Sequence, residues 1–355
     1  MTKLKFKVIG VMSGTSLDGI DLAYISFDEK ATIEFEILKA ETVSYSDTWK
    51  TKLENLVDLN SEELQDLDAD YSELLANEIQ NFIDTNAIEE IDFIASHGHT
   101  ALHRPDLGYT LQIGNQKSIS SKLNLPLICD FRVQDVKLGG QGAPLVPIGD
   151  LLLFSDFEYC INLGGFANVS FQDNGQRVAY DICPVNIVFN YFSSELGQAF
   201  DNSGNLAKSG QLQPSLLDIL NSNDYFESSY PKSLGLEWVK SEVFPILINS
   251  GYSQIDILRT YCEHIAMQIV NQFNNVNKKD KVLFTGGGVY NTFLMSRIQD
   301  LTEATVVIPS NELVEYKEAL IFGLLGGLKY LGRNNCLSSV TGASKNHSSG
   351  VIYKP

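Results

Sequence analysis

The sequence predicts an α/β fold in two lobes, and three observations point to it. The chain has 355 residues, a strand meander occurs twice along it, and three strands run straight into glycine-rich turns. A single core stops growing at roughly 250 to 300 residues, so a chain of this length is expected to pack as two lobes with a cleft. Hydrophobic residues make up 44% and charged residues 20%, a globular balance that leaves no room for a large disordered tail.

Residues 6–12 (FKVIGVM) form a continuous apolar run that reads as a buried strand, 20–27 as its hairpin partner and 33–43 as a third strand. Between 61 and 85, Leu64, Leu67, Tyr71, Leu74, Leu75, Ile79, Phe82 and Ile83 recur at helical spacing. A short strand at 93–95, a polar loop from Ser96 to Thr100, a strand at 125–130 and an apolar helix at 145–154 follow. The opening pattern then returns: 159–165 is a strand running into glycines, 167–173 and 177–183 its meander partners. The likeness is one of architecture, not of a fixed-period repeat, and implies two related lobes. Helices are expected at 212–221, 235–249, 253–275 and about 312–331, with a strand at 281–285 ending in Gly286, Gly287 and Gly288. The last helix carries Gly323, Gly326 and Gly327, where close packing calls for small residues.

The formal charge of −18 repels phosphate backbones and anionic membranes, and no basic patch offsets it, so nucleic-acid and lipid partners are excluded. Small-molecule anions remain compatible, because backbone amides and a divalent cation can balance them. Five cysteines without a paired spacing fit a reducing cytoplasm. Lys3 to Met12 only faintly imitates a leader, since polar Ser13 to Ser16 and Asp18 break the apolar run.

Three constellations carry chemistry. Ser13 to Asp21 joins two strands through a hydroxyl-rich turn, and two readings stand. It is an anion cradle in which Asp18 or Asp21 holds hydrated Mg²⁺, or a hairpin turn signalled by Asp18-Gly19. Asn162-Leu163-Gly164-Gly165-Phe166-Ala167-Asn168 is a second strand-to-glycine turn, suited to clamping a phosphate against the first. Gly286-Gly287-Gly288-Val289-Tyr290-Asn291 lets a flat base or ribose approach the backbone. Neither GxxxxGK[ST] nor GxGxxG occurs, which excludes the common P-loop and dinucleotide fingerprints.

GVMSGTSLDGIDLA at 10–23 resembles the signature of the anhydro-N-acetylmuramic acid kinases, a family within the actin, sugar-kinase and Hsp70 superfamily. SHGHTALHRP at 96–105, LQIGN at 111–115, DFRVQDVKLGGQGAPLVPIGD at 130–150, NLGGFANVS at 162–170, GGGVYN at 286–291, YKEALIFGLLG at 316–326 and SVTGASK at 339–345 follow the family's order. The resemblance implies two RNase H-like lobes of the actin/sugar-kinase type with an interlobe active-site cleft. The N-terminal lobe would comprise 1–145 plus about 312–355, and the C-terminal lobe 146–311. It also implies an ATP-dependent kinase that opens 1,6-anhydro-N-acetylmuramic acid with water and phosphorylates O6, in cytoplasmic peptidoglycan recycling, with ATP and Mg²⁺ as cofactors and a homodimer as assembly.

By the same resemblance Asp181 is the catalytic base and Glu318 a second active-site carboxylate. Gly14, Thr15, Ser16, Leu17, Asp18, Gly19, Ile20, Asp21, Gly164, Gly165, Asn168, Gly286, Gly287, Gly288 and Asn291 contact the nucleotide. Arg132 meets the lactyl carboxylate, with His97 beside the sugar and His103 nearby. A guanidinium fork suits a carboxylate better than a lysine point charge does. The family pattern Asp-Thr-Gly-Pro-Gly-Asn is Asp181-Ile182-Cys183-Pro184-Val185-Asn186 here, and His-Gly-Gln-Thr is His97-Gly98-His99-Thr100. A kinase for another amino sugar, or a non-catalytic ATP-binding module, are the competing readings.

Overall fold

The computed structural model describes residues 3–14, 17–273 and 276–355. It divides into two compact units, Met1–Phe154 with Tyr316–Pro355, and Ser155–Glu315.

The first unit is built on a six-stranded sheet. Its strands are β1 (Lys5–Ser13), β2 (Ile20–Glu29), β3 (Ile33–Val43), β4 (Phe93–Ser96), β7 (Leu127–Cys129) and β13 (Val351–Tyr353), in the order β13-β7-β4-β1-β2-β3. The hairpin β5 (His99–Arg104) and β6 (Tyr109–Ile113) stands beside it as a two-stranded sheet. The second unit holds β8 (Tyr159–Leu163), β9 (Phe166–Asp173), β10 (Gln176–Pro184), β11 (Lys281–Thr285) and β12 (Thr305–Val307), in the order β10-β9-β8-β11-β12. In both units an antiparallel meander of three strands is followed by two strands parallel to the first. That shared order is the RNase H-like topology that the resemblance implies, with β13 added to the first sheet from the C-terminal end.

β1 is central and buried from Val8 to Ser13, which is why its sequence is continuously apolar instead of alternating. The helix Ser61–Thr85 begins at Asn60, whose side chain accepts from the amides of Glu62 and Glu63 while Glu63 reaches back to the Asn60 amide. Its Leu64, Leu67, Tyr71, Leu75, Ile79 and Phe82 form one buried stripe against the first sheet. The helix Asn311–Tyr330 packs on that sheet so closely that a Cβ on Gly10 would lie 2.1 Å from the Ala319 carbonyl oxygen, and one on Gly326 2.7 Å from Ala95 Cβ. Two glycines, one on each element, therefore set the spacing.

The helix Pro147–Leu153 belongs to the first unit, which moves the first crossing from 145 to Phe154. Buried Lys317 pairs with Asp150 at 2.7 Å, and Gly149 packs against Ile321. The second crossing falls at Glu315, inside the last helix. The segment expected as one helix at 235–249 passes through a π turn at Val239–Val243 before Pro245, which has no amide to donate. The strand β5 replaces the polar loop expected from Ser96 to Thr100. Among the described residues no helix is long and apolar enough to cross a membrane.

Candidate active site

The first turn is wider than an Asp-Gly hairpin. β1 and β2 pair as far as Ser13 with Ile20, and beyond that pair Leu17 takes φ 59° and its amide bonds the Gly14 carbonyl. Thr15 and Ser16 lie outside the described residues. Ile20 is buried in the core, and a Cβ on Gly19 would meet the Val43 carbonyl oxygen at 2.5 Å, so both of these serve packing. Asp18 is exposed, while Asp21 accepts from Thr42 Oγ1 at 2.6 Å. Their carboxylate oxygens are the donor type that a hard cation such as Mg²⁺ takes.

Beneath this loop Ser13 Oγ bonds Tyr45 OH at 2.7 Å, Tyr71 OH at 2.8 Å and His99 Nδ1 at 2.8 Å. His99 is buried, which lowers its pKa to about 4 and keeps it neutral. The histidine that stands where the family carries glutamine thus anchors the end of β1 from inside.

Four separated motifs of the first unit converge on Arg132. Its Nε donates to His97 Nε2 at 2.8 Å, and Nη1 donates to the Gly142 carbonyl at 2.7 Å. Nδ1 of His97 lies 2.8 Å from the Gly98 carbonyl, which can only accept, so the imidazole carries its proton there and offers a lone pair to the arginine. Burial, and secondly the Arg132 charge, hold His97 well below the usual imidazole pKa, so it stays neutral. Asn115 Nδ2 donates to the His97 carbonyl at 3.3 Å and to Asp130 Oδ1 at 2.9 Å, tying the three loops together.

Arg132 is half-buried, and burial lowers its pKa against the opposing charge of Glu318. Two of its five N–H donors are used, and among the described residues no other partner takes the remaining three. Glu318 has an exposed side chain, yet lies among enough protein atoms that desolvation raises its carboxyl pKa, with Arg132 and then Lys317 pulling the other way. His103 is exposed and bonds Thr110 Oγ1 at 3.0 Å.

In the second unit the turns after β8 and β11 are adjacent, because these strands run parallel with Asn162 beside Thr285. Ligands of open α/β sheets bind at such carboxyl ends. Gly286 takes φ 82° and a Cβ there would meet Asn162 Oδ1 at 2.7 Å; one on Gly288 would meet Leu163 Cβ at 2.7 Å. Around Gly287 a Cβ would find nothing within 4 Å, and Gly164 and Gly165 would allow one only ordinary or slightly tight contacts. Asn291 uses its side-chain oxygen to cap the helix Thr292–Leu301 through the Leu294 amide.

Asp181 faces Asn168 across β9, and Asn168 faces Asn162 across β8, so the three side chains form a polar row on one face of the sheet. A bulge between Asp181 and Cys183 turns the strand just after the carboxylate. Oδ2 of Asp181 accepts from the Leu234 amide at 2.9 Å, and burial raises its pKa above the ordinary aspartate value despite that bond. Asn162 is the member of this row that motif reading included in the second turn without a role of its own. Its signal is a polar residue in an otherwise apolar strand.

A family model described as anhydro-N-acetylmuramic acid kinase matches residues 6–355. The chain belongs to the anhydro-N-acetylmuramic acid kinase family. Among curated relatives of that name, the protein of Aliivibrio fischeri is 34% identical over 98% of this chain and 99% of its own length. That of Vibrio cholerae is 32% identical over 98% of each. A Cyanothece relative is 33% identical over 98% of this chain and 99% of its own.

Val185 stands where the family pattern has its second glycine after Asp181, with φ −127° and ψ −92°. Val185 is fully buried in the second unit's core and its amide bonds the Gly165 carbonyl at 2.8 Å. Val185→Gly is therefore expected to lose about 2 to 4 kcal/mol of stability in denaturant titration, through a cavity and a freer unfolded chain. Unchanged stability would show that valine is not needed there.

Proposed function

We propose that this chain phosphorylates 1,6-anhydro-N-acetylmuramic acid at O6 with ATP while water opens the anhydro bridge, releasing N-acetylmuramic acid 6-phosphate and ADP. The observation that carries this reading is the family match along residues 6–355. The reaction fits a cytoplasmic role in recycling cell-wall sugars.

Arg132 receives the lactyl carboxylate through its three remaining donors, since its two hydrogen-bond partners are neutral acceptors and no carboxylate of the described residues bonds it. Asp181 takes a proton from the attacking water. The water oxygen bonds C1 as the C1–O6 bond breaks, and O6 takes the γ-phosphoryl group. A carboxylate made more basic by burial suits that task better than a solvated aspartate. The turns at 162–165 and 286–288 supply backbone and open space for the nucleotide. Asp18 and Asp21 would hold Mg²⁺, which when bound offsets phosphate charge. Asn291, with its oxygen committed to a helix cap, contributes to the nucleotide turn by shaping it.

Asp181→Asn is expected to lower kcat by about 10²- to 10⁴-fold and to leave ATP affinity within a factor of about two. Since the base must be ionised and its pKa is raised, wild-type kcat should fall on acidification through a pKa above the ordinary aspartate value of about 3.9. Full turnover by the variant would remove Asp181 as the base. Arg132→Ala is expected to raise KM for the anhydro sugar about 10- to 100-fold with little change in KM for ATP. Equal effects on both would assign the arginine to general architecture.

A further inference from the structure

We propose that Asp135, Cys336 and His347 form a binding site for one zinc-class divalent cation, separate from the reacting groups. The three side chains are almost wholly removed from solvent, at 0%, 1% and 4% relative exposure. They come from distant parts of the first unit. Asp135 lies in the short helix Val133–Lys137, whereas Cys336 and His347 are brought face to face by an antiparallel bridge of two chain segments. Their ligand atoms all lie within 4.8 Å of one another.

The hydrogen bonds around the cluster leave one feature unexplained without a cation. Nδ1 of His347 lies 3.1 Å from the Lys345 carbonyl, which fixes the proton on that nitrogen. In the neutral ring Nε2 then presents a buried lone pair; it has no hydrogen-bond partner and stands 3.6 Å from Asp135 Oδ1, an ion-pair distance only if the ring is protonated. An imidazole lone pair directed at a carboxylate oxygen is repulsive unless a cation lies between them. At 3.6 Å the separation is too long for an N–H···O bond.

It does fit a metal. Zinc bonds of about 2.0 to 2.3 Å at tetrahedral angles put neighbouring ligand atoms about 3.3 to 3.8 Å apart. His347 Nε2 stands 3.6 Å from Asp135 Oδ1, within that range, while Cys336 Sγ, which donates a hydrogen bond to the same oxygen at 3.1 Å, stands slightly inside it and would move outward as its proton leaves. Among the described residues His347 is the only basic group within 4.0 Å of this buried carboxylate, with the Arg132 charge acting on Asp135 and Cys336 from further away. One thiolate, one imidazole and one carboxylate are a donor set for zinc and a poor one for magnesium or calcium. The fourth position falls to a water molecule or to Thr341 Oγ1, which lies 2.7 Å from the same Asp135 oxygen.

The site would fasten the C-terminal segment to the loop that presents Arg132. Asp135 Oδ2 accepts from the Gly142 amide at 2.7 Å, and the Gly142 carbonyl in turn accepts from Arg132.

The test uses the full chain, purified without chelator or affinity metal, with elemental analysis after dialysis. About one zinc per chain is expected, with loss in folded Cys336→Ser and His347→Gln variants. Co²⁺ added to zinc-stripped protein is expected to give the intense visible bands of tetrahedral coordination and a thiolate charge-transfer band, both absent from Cys336→Ser. Zn²⁺ should raise the thermal midpoint of the stripped protein. Folded protein that holds no metal, shows no Co²⁺ bands and does not change its midpoint with Zn²⁺ would overturn the proposal. So would a folded Cys336→Ser variant that retains one zinc with an unchanged Co²⁺ spectrum. None of these readings involves the kinase reaction.

Discussion

Holding a guanidinium half-buried on neutral hydrogen-bond acceptors is the constraint around which the loops of the first unit are arranged. Arg132 is held by a neutral imidazole and a peptide carbonyl, two acceptors that fix its direction, while the charges of Glu318 and Asp135 act on it without a hydrogen bond. A carboxylate in either place would have satisfied the arginine and closed it to an anionic ligand. Much of the surrounding chain follows from that choice. His97 must stay neutral, which burial ensures, and must keep its proton on Nδ1, which the Gly98 carbonyl ensures. Gly98 takes φ 73° and presses against the Ile113 carbonyl, while Asn115 bonds both the His97 carbonyl and Asp130.

The second unit solves the opposite problem, keeping a carboxylate basic. Burial makes ionised Asp181 more costly and raises its pKa, and one amide hydrogen bond from Leu234 only partly offsets this. The bulge after Asp181 lets β10 turn away without giving up the pairing of Asp181 with Asn168. Sheet registry, and not loop conformation, therefore fixes the row that contains the proposed base. Val185, where the family pattern carries glycine, lies beyond the bulge with its side chain in the core.

The fold was legible where periodicity and burial agree. The stripe from Leu64 to Phe82 marks a helix capped by Asn60, and the doubled meander marks two sheets of one topology. The hairpin β5–β6 was not legible, because His99, Thr100, His103 and Arg104 interrupt any apolar alternation and the register is irregular between Thr100 and Leu102. Motif reading placed Arg132, His97 and Asp181 in named roles, but it could not supply which atom bonds which. Nothing in the spacing says that His97 serves Arg132, that Gly19 answers to the Val43 carbonyl or that Asn291 caps a helix. These depend on contacts between residues far apart in the chain, as does the meeting of Asp135, Cys336 and His347.

The central claim is that phosphoryl transfer and hydrolytic opening of the anhydro bridge occur in one reaction. Incubation with ATP, Mg²⁺ and 1,6-anhydro-N-acetylmuramic acid in ¹⁸O-labelled water, read by product mass, tests it directly. The account predicts a phosphorylated sugar carrying one ¹⁸O from water in its ring-opened form, placed at C1 before anomeric exchange can add or remove label. A phosphosugar formed without water incorporation, or no phosphosugar from a protein that binds ATP, would contradict it.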